Sequence, residues 1–167
     1  MKERTREAIF NLISTASKGR HAVDLFAGTG ALGLEALSRG AVGCTLIEKH
    51  VPTARVVEQN IAALGVGDQT RLLMTSAFLW GRRDLPSDAA APPKGTPWLV
   101  FCSPPYDFYV DREGDMLSLL SAVVEHCPAD SVMVVEADER FDFGKLPGAP
   151  WDVRTYKPAV VGVWQKG

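Results

Sequence analysis

The chain has few cysteines and no long apolar run. Cys44, Cys102 and Cys127 are odd in number and lack the spacing of a metal site, so they predict neither a disulfide framework nor a bound metal. No apolar run approaches the roughly 18 residues of a membrane span, and the N-terminus has no signal-peptide pattern. We therefore expect a soluble protein of the reducing cytoplasm that does not enter a membrane.

A strong net charge is also missing. The 18 basic and 20 acidic residues leave a formal charge of −2, which gives no signal for nucleic acid over the chain as a whole. Contact with RNA or DNA would therefore have to use a local patch. The first 20 residues offer one candidate, although its charges alone are better explained by a solvated helix face; its basic residues are Lys2, Arg4, Arg6, Lys18 and Arg20, against Glu3 and Glu7.

Apolar runs and helical periodicities alternate along the chain. Predicted strands at 21–27, 44–48, about 70–76, 98–102 and 131–136 are separated by helical patterns, which indicates a parallel sheet with right-handed crossovers. Two further runs, 151–157 and 160–166, flank a short turn and predict an antiparallel hairpin. We therefore expect one domain, 1–167, of the α/β class. Its seven-stranded, mostly parallel sheet would end in this hairpin and carry helices on both faces.

Apolar spacing and end signals place the helices. They are predicted at 4–17 with Thr5 as a cap, from the glycine-rich turn to Gly40, from Pro52 to Leu64, and at about 114–126. Residues 81–97 contain four prolines and scattered charges, a composition that predicts a surface loop.

The stretch Val23 to Gly33 connects the first predicted strand to a helix through a glycine-rich turn. Glycines suit such a turn because the backbone must bend sharply and let a ligand approach without a Cβ in the way. The helix N-terminus then offers unpaired N–H groups. The spacing Gly28-x-Gly30-x-x-Gly33 is that of a dinucleotide site, but the spacing alone leaves the cofactor open.

Two acids narrow the choice of cofactor. Glu48 ends the second predicted strand 20 residues after Gly28, where a carboxylate can accept hydrogen bonds from both ribose hydroxyls of either kind of cofactor. Asp24 lies inside the first strand, and a buried carboxylate is costly without a charged or strongly donating partner. S-adenosylmethionine supplies an ammonium group, a ribose diol and no phosphate. We therefore expect Asp24 near its methionine end, directly or through loop backbone and water, and Glu48 on its ribose.

The turn Ser103-Pro104-Pro105-Tyr106 follows the fourth predicted strand and faces the same crevice. Two prolines remove two N–H donors and leave carbonyls as the available backbone polar groups. An aryl amine is a poor nucleophile, because its lone pair is delocalised into the ring. The Ser103 side chain and the Pro104 carbonyl could accept hydrogen bonds from its two N–H groups and orient it toward a methyl group. Tyr106 would offer a face on which an extruded base stacks.

The run Asp24 to Gly40 resembles the first motif of class I S-adenosylmethionine-dependent methyltransferases. It is particularly similar to the bacterial small-subunit (16S) ribosomal RNA guanine-N2 methyltransferases of the RsmD type. The likeness continues through the stretches Arg6–Asn11, Leu46–Lys49, Ser76-Ala77, the Pro-Pro-Tyr turn and Tyr156–Trp164.

This resemblance implies a Rossmann-like fold and transfer of a methyl group to the N2 amine of a guanine in small-subunit rRNA or an assembling 30S particle, by a monomer. The turn at positions 103–106 would form the target-amine site. The Ser76-Ala77 pair would lie near the adenine. The cofactor site so predicted comprises Asp24, Phe26, Gly28, Thr29, Gly30, Gly33, Glu48, Lys49, Ser76 and Ala77.

The sequence departs from the family pattern in two places. The family has Asp or Asn before the two prolines, whereas Ser103 stands here. Ser-Pro-Pro-Tyr occurs in cytosine-N4 DNA methyltransferases, so a DNA amino-methyltransferase acting on cytosine N4 or adenine N6 is a second hypothesis. The family also has a short basic β-rich segment ahead of the first helix, and this chain begins almost at that helix. Two further hypotheses are a catalytically impaired homologue that binds the cofactor, and a nicotinamide-dependent oxidoreductase.

Overall fold

A seven-stranded sheet forms the centre of the molecule. The computed structural model describes residues 2–167. The strands are β1 His21–Asp24, β2 Gly43–Ile47, β3 Thr70–Leu73, β4 Trp98–Cys102, β5 Val132–Asp138, β6 Asp152–Tyr156 and β7 Ala159–Gln165. They lie in the order β3-β2-β1-β4-β5-β7-β6, with β7 antiparallel to both of its neighbours and every other pair parallel. The predicted sheet and its closing hairpin are confirmed.

Helices cover both faces of this sheet. They are α1 Glu3–Ile13, α2 Ala31–Ser38, α3 Val51–Leu64, α4 Ala77–Leu79, α5 Phe108–Asp111 and α6 Glu113–His126. Successive side chains of β4 alternate between two apolar clusters, Val100 in one and Phe101 in the other. Because both faces are covered, β2 and β4 are buried along their whole length and appear in the sequence as continuous apolar runs.

The strand order reverses direction at β1. From this strand the chain proceeds outward through β2 to β3 on one side, and through β4 to β5 on the other. The connections therefore diverge between β1 and β4 and leave a crevice beyond the carboxyl ends of these strands, which is where open α/β sheets bind ligands. No helix within residues 2–167 is long and apolar enough to span a bilayer.

Several predicted boundaries are wrong by a few residues. Helix α1 ends at Ile13 rather than 17, because Ser14 adopts a non-helical backbone with φ 53° and ψ −114°. Lys2, not Thr5, precedes this helix, and Thr5 is buried within its first turn. Strands β1 and β3 end at Asp24 and Leu73 rather than at 27 and 76. The chain must leave the sheet there to form the glycine turn and the N-terminus of α4.

The predicted surface loop 81–97 begins as buried helical structure. Helix α4 continues into a π-helical turn, Trp80–Asp84, and both Trp80 and Leu85 are buried. Gly81 packs closely on α6, since a Cβ at this position would lie 2.7 Å from Leu119 Cδ1. The prolines later in the segment dominate its composition and conceal these buried residues. Helix α5, directly after the Pro-Pro-Tyr turn, was not predicted either.

Candidate active site

One cavity of about 1340 Å³ occupies the crevice beyond β1, β2 and β4. The predicted site residues that line it are Asp24, Phe26, Gly28, Thr29, Glu48, Lys49, Ser76, Ala77 and the turn Ser103 to Tyr106. Gly30 and Gly33 are predicted site residues that do not line it. The structure therefore brings the predicted cofactor residues and the predicted target-amine turn into the lining of a single cavity. We call the part lined by the cofactor residues the cofactor end and the part lined by the turn the target end.

The glycines of the turn serve different purposes. Gly28 and Gly30 have φ values of 57° and 88°, a left-handed conformation that glycine adopts without a steric penalty. Gly33 has no such φ, but a Cβ there would lie 2.5 Å from Leu46 Cδ2 and 2.7 Å from Cys44 Sγ. Gly33 therefore lets α2 pack against β2, whereas the first two glycines shape the turn that borders the cavity.

Glu48 follows β2 and joins two loops. Its Oε1 accepts a hydrogen bond from the Gly28 N–H at 2.9 Å, and its Oε2 accepts one from the His50 N–H at 2.9 Å. An ionised carboxylate has about four acceptor positions, so each oxygen still has a lone pair for a further donor. Glu48 can thus hold the glycine turn and the start of α3 in place and still receive a diol.

Asp24 is the least satisfied polar group of the site. Its carboxyl is 1% exposed, and its Oδ2 accepts from the Gly33 N–H at 3.3 Å. The other oxygen, Oδ1, has no hydrogen-bond partner within residues 2–167. Burial and, to a smaller extent, the charge of Glu48 raise the pKa of Asp24 to about 7, against the opposing effect of the Gly33 hydrogen bond. A buried oxygen that lacks a donor is the feature a cationic or strongly donating ligand would satisfy.

An aromatic wall closes one side of the cavity. The rings of Phe26, Phe78 and Phe108 lie 5.7 to 6.0 Å apart between centroids, and the Arg112 guanidinium stacks 4.0 Å from the centroid of Phe78. Such a wall suits a flat ring such as adenine. The Ser76 hydroxyl accepts from the Phe78 N–H at 3.2 Å and so begins α4 beside the wall. Sequence reasoning missed Phe78, Phe108 and Arg112, although Phe78 directly follows the predicted Ser76-Ala77 pair.

The target end of the cavity holds a carboxyl group that sequence reasoning also missed. Glu136 lies in β5 and is 3% exposed. Ser103 Oγ donates a hydrogen bond to its Oε1, and the Tyr106 hydroxyl donates one to its Oε2. Burial, the hydrogen bond to Glu136 and the charge of that carboxylate raise the pKa of Tyr106, which keeps its hydroxyl protonated as a donor. The available signal was an acid that interrupts the apolar run of β5, as Asp24 does in β1.

Two carbonyls of the Ser-Pro-Pro-Tyr turn, those of Pro105 and Tyr106, accept backbone hydrogen bonds. The Pro105 carbonyl accepts from the Phe108 N–H at 3.0 Å and so begins α5. Within residues 2–167 no such bond forms to the Pro104 carbonyl. The predicted acceptor pair of Ser103 Oγ and the Pro104 carbonyl is therefore available to a substrate amine.

The basic residues that cluster near the N-terminus in the sequence are separated by the fold. Lys2 and Arg6 line the cavity mouth, and Arg6 Nε lies 3.0 Å from Glu35 Oε1. Arg20 instead donates to the Asp130 and Ala16 carbonyls and has a structural role. Within residues 2–167 no group of three or more His, Cys, Asp and Glu side chains could hold a metal ion.

Comparison with known proteins gives a family and a relative of known name. The family model described as Conserved hypothetical protein 95 matches residues 1–158. Ribosomal RNA small subunit methyltransferase D of Escherichia coli (strain K12) is 37% identical over 105 residues, which are 62% of this chain and 48% of that protein. The matched stretch thus spans about half the length of the curated relative.

Two solved structures share the fold. A conserved hypothetical protein of Streptococcus pyogenes has a TM-score of 0.77 and 26% identity, over 97% of this chain and 95% of that one. An RNA methyltransferase from Salinibacter ruber, in complex with S-adenosyl-L-homocysteine, has a TM-score of 0.68 at 16% identity, over 99% and 92% of the two chains. At that identity the likeness concerns the fold, and it confirms the predicted Rossmann-like architecture. Since the family model covers nearly the whole sequence, the predicted resemblance is confirmed: the chain belongs to the Conserved hypothetical protein 95 family, that of the RsmD-type proteins.

Proposed function

We propose that this protein transfers a methyl group from S-adenosylmethionine to the exocyclic N2 amine of a guanine in small-subunit rRNA. The observation that carries this proposal is the single cavity that joins the unpartnered Asp24 Oδ1 to the acceptors of Ser103 and Pro104. The name of the Escherichia coli relative supports the rRNA substrate. The bound S-adenosylhomocysteine of the Salinibacter ruber protein supports the cofactor.

The residues of the cavity fit S-adenosylmethionine. Asp24 offers a buried carboxyl oxygen without a donor, which an ammonium group would satisfy. Glu48 offers acceptors for a ribose diol, and the wall of Phe26, Phe78 and Phe108 offers apolar surface for adenine. When bound, the cofactor supplies an electrophilic methyl group on a sulfonium.

The target end of the cavity would activate the amine by orienting it. Ser103 Oγ and the Pro104 carbonyl would accept hydrogen bonds from the two N–H groups of the amine. The nitrogen lone pair then points away from both acceptors and toward the methyl donor. This alignment converts an encounter of weak reactants into a reaction within one complex. The three cysteines, all buried, contribute no nucleophile, so no covalent intermediate with the enzyme is required.

The proposed partner is small-subunit rRNA, free or in an assembling 30S particle, and the proposed active form is a monomer in the cytoplasm. Lys2, Arg6, Lys49 and Arg112 line the cavity and would attract the phosphates around the target nucleotide. Such local cations suffice to recruit RNA to a chain whose overall charge is −2.

The decisive experiment is tritiated methyl transfer to 30S particles isolated from cells that lack this modification, followed by nucleoside analysis. We expect label in N2-methylguanosine. Calorimetry with S-adenosylhomocysteine and with NADH accompanies it, and only the former should bind. Binding without transfer to any ribosomal RNA would instead identify a non-catalytic homologue.

Ser103 favours a second candidate, a DNA methyltransferase acting on cytosine N4 or adenine N6. Against it, the Escherichia coli relative is named for small-subunit ribosomal RNA and not for DNA. Unmethylated duplex DNA, included in the same assay, distinguishes the two candidates, because label in N4-methylcytosine or N6-methyladenine would replace the rRNA proposal.

A further inference from the structure

Glu136 is a buried carboxyl with no cationic partner. It lies between the buried residues Val135 and Ala137 of β5 and is itself 3% exposed. None of the ion pairs found within residues 2–167 includes it. Its partners there are the hydroxyls of Ser103 and Tyr106. Burying an acid is costly, so a carboxyl compensated by two hydroxyls at the edge of a reaction cavity calls for a chemical explanation.

The direction of these hydrogen bonds determines what Ser103 can do. A serine hydroxyl has one hydrogen and two lone pairs, and an ionised carboxylate can only accept. Ser103 must therefore donate its hydrogen to Glu136, which leaves its oxygen able only to accept from a substrate. A hydrogen bond to a charged acceptor also polarises the hydroxyl and makes its oxygen a stronger acceptor.

We infer that Glu136 is a positioning residue for the target amine and the final acceptor of its proton, acting through Ser103. This inference rests on the proposed methyl transfer. It explains how a serine serves where the resembled family has Asp or Asn, because the missing carboxylate is supplied by the neighbouring strand. The two strands hold the pair in register: Cys102 of β4 pairs with Val135 of β5, and Ser103 and Glu136 come next on each.

The proton transfer balances without another reactant. The amine lone pair forms the new N–C bond as the C–S bond breaks, and the bonding electron pair stays on sulfur. The nitrogen is then positively charged and has one proton too many. It gives that proton to Ser103 Oγ while the Ser103 hydroxyl gives its own to Glu136 Oε1, which leaves a neutral methylamine, a hydroxyl and a carboxylic acid. A carboxylate is basic enough to accept a proton from a nitrogen that carries a positive charge.

Tyr106 holds the other carboxylate oxygen. Its hydroxyl donates to Oε2, so that Oε1 faces Ser103 and the carboxyl plane is fixed. The side chain is therefore attached through its hydroxyl, while the ring still borders the cavity where stacking of the target base was predicted.

The test compares Glu136→Gln with the matched control Glu139→Gln, an exposed acid three residues along the chain. The glutamine amide at position 136 can donate a hydrogen bond to Ser103, which reverses the direction of the bond found in the wild type. Unlike a carboxylate, the amide cannot take up the proton. We expect methyl transfer to 30S particles in single turnover to fall about 100-fold, as for loss of a general base. Affinities for S-adenosylhomocysteine and for 30S particles should stay within about threefold, and Glu139→Gln should match the wild type.

The double variant Ser103→Asp/Glu136→Gln supplies a rescue that a purely structural Glu136 would not show. A carboxylate at position 103 can accept from the amine directly, and the glutamine amide can donate to it. We expect the double variant to recover at least about tenfold in rate over Glu136→Gln. If Glu136→Gln alone fails to fold, the double variant and Ser103→Ala are measured instead. The double variant should transfer the methyl group, and Ser103→Ala should transfer it about 100-fold more slowly than the wild type.

Two results would overturn the inference: transfer by Glu136→Gln within about threefold of the wild type, or a double variant no faster than Glu136→Gln. Failure of the proposed function has a different signature. In that case the wild type itself would transfer no label to rRNA, and the role of Glu136 in that reaction would fail with it.

Discussion

The two ends of the cavity each have a buried acid from an apolar strand, and the hydrogen bonding of the two acids differs. Asp24 has one backbone donor, the Gly33 N–H, for one oxygen and no partner within residues 2–167 for the other. Glu136 has a hydroxyl on each oxygen. Asp24 therefore has an oxygen that a ligand can still satisfy. Glu136 already has a donor on each oxygen and would act on a substrate through Ser103. The cofactor end is thus arranged to bind, and the target end to orient.

The stability of the ligand-free protein should reveal the difference most strongly. The pKa of Asp24 is about 7 in the folded state and about 3.8 unfolded, so the folded state binds the extra proton between those values. This stabilisation is present below about pH 4 and is lost as the pH rises to about 7. From pH 5 to pH 8 we expect an Asp24 contribution of roughly 3 kcal/mol to disappear.

Urea denaturation of wild type and Asp24→Asn at pH 5 and pH 8 measures this loss. The amide keeps an acceptor for the Gly33 N–H and does not titrate, so the variant should gain stability relative to the wild type as the pH rises. An equal difference at both pH values would show that Asp24 titrates normally. Saturating S-adenosylhomocysteine should flatten the wild-type slope, because its ammonium group favours the carboxylate.

Cofactor affinity should respond to Asp24 and not to Glu136. Asp24→Asn removes a charged acceptor, and hydrogen bonds to charged groups contribute roughly 1.5–3 kcal/mol, so the Kd for S-adenosylhomocysteine should rise about 10- to 100-fold. Calorimetry measures this Kd. Glu136→Gln is the control, because it also removes one buried carboxylate. Similar weakening in both variants would remove the distinction between the two ends.

Tyr106→Phe should have a smaller effect, confined to the target end. The ring stays, but Glu136 Oε2 loses its donor, which costs about 1 kcal/mol and corresponds to a roughly fivefold slower transfer. Single-turnover kinetics with 30S particles measures this rate. Cofactor affinity serves as the internal control and should be unchanged; a weaker S-adenosylhomocysteine complex would place Tyr106 at the wrong end.

Arg112→Ala should have the smallest effect. The guanidinium stacks on Phe78 and pairs with Asp115 at 2.9 Å on an exposed helix surface. Exposed cation–π contacts contribute about 0.5–1 kcal/mol, so the Kd for S-adenosylhomocysteine should rise about two- to fivefold. Arg55→Ala, which removes an exposed helix pair with Glu58 away from the wall, is the control and should leave the affinity unchanged.

Much of the fold and half of the site follow from local sequence. The alternation of apolar runs with helical spacing predicts the sheet, and parallel strands necessarily bring Asp24, the glycine turn and Glu48 to one edge. The target end is harder to predict from sequence, because the hydrogen bond between Ser103 and Glu136 joins positions 33 residues apart. Ser103 meets Glu136 only through the register of β4 on β5, which no local pattern reveals.

The features that were predicted wrongly or not at all also depend on tertiary contacts that local sequence does not show. The segment 81–97 was predicted from its prolines, yet its structure depends on how Trp80 and Leu85 are buried beneath other elements. Helix α5 has only four residues and no periodicity to detect. The aromatic wall combines residues from three separate loops and helices, so its members carry no shared signal along the chain.

The two backbone hydrogen bonds of Glu48 have a consequence for the entropy of binding. Its side chain is held by hydrogen bonds from the Gly28 and His50 N–H groups. Ordering a flexible side chain on association costs about 0.5–1.5 kcal/mol, and here folding has already met that cost. A ribose that reaches Glu48 therefore meets an acceptor with no rotational freedom left to lose, and the same carboxylate keeps two loops in place before any ligand arrives.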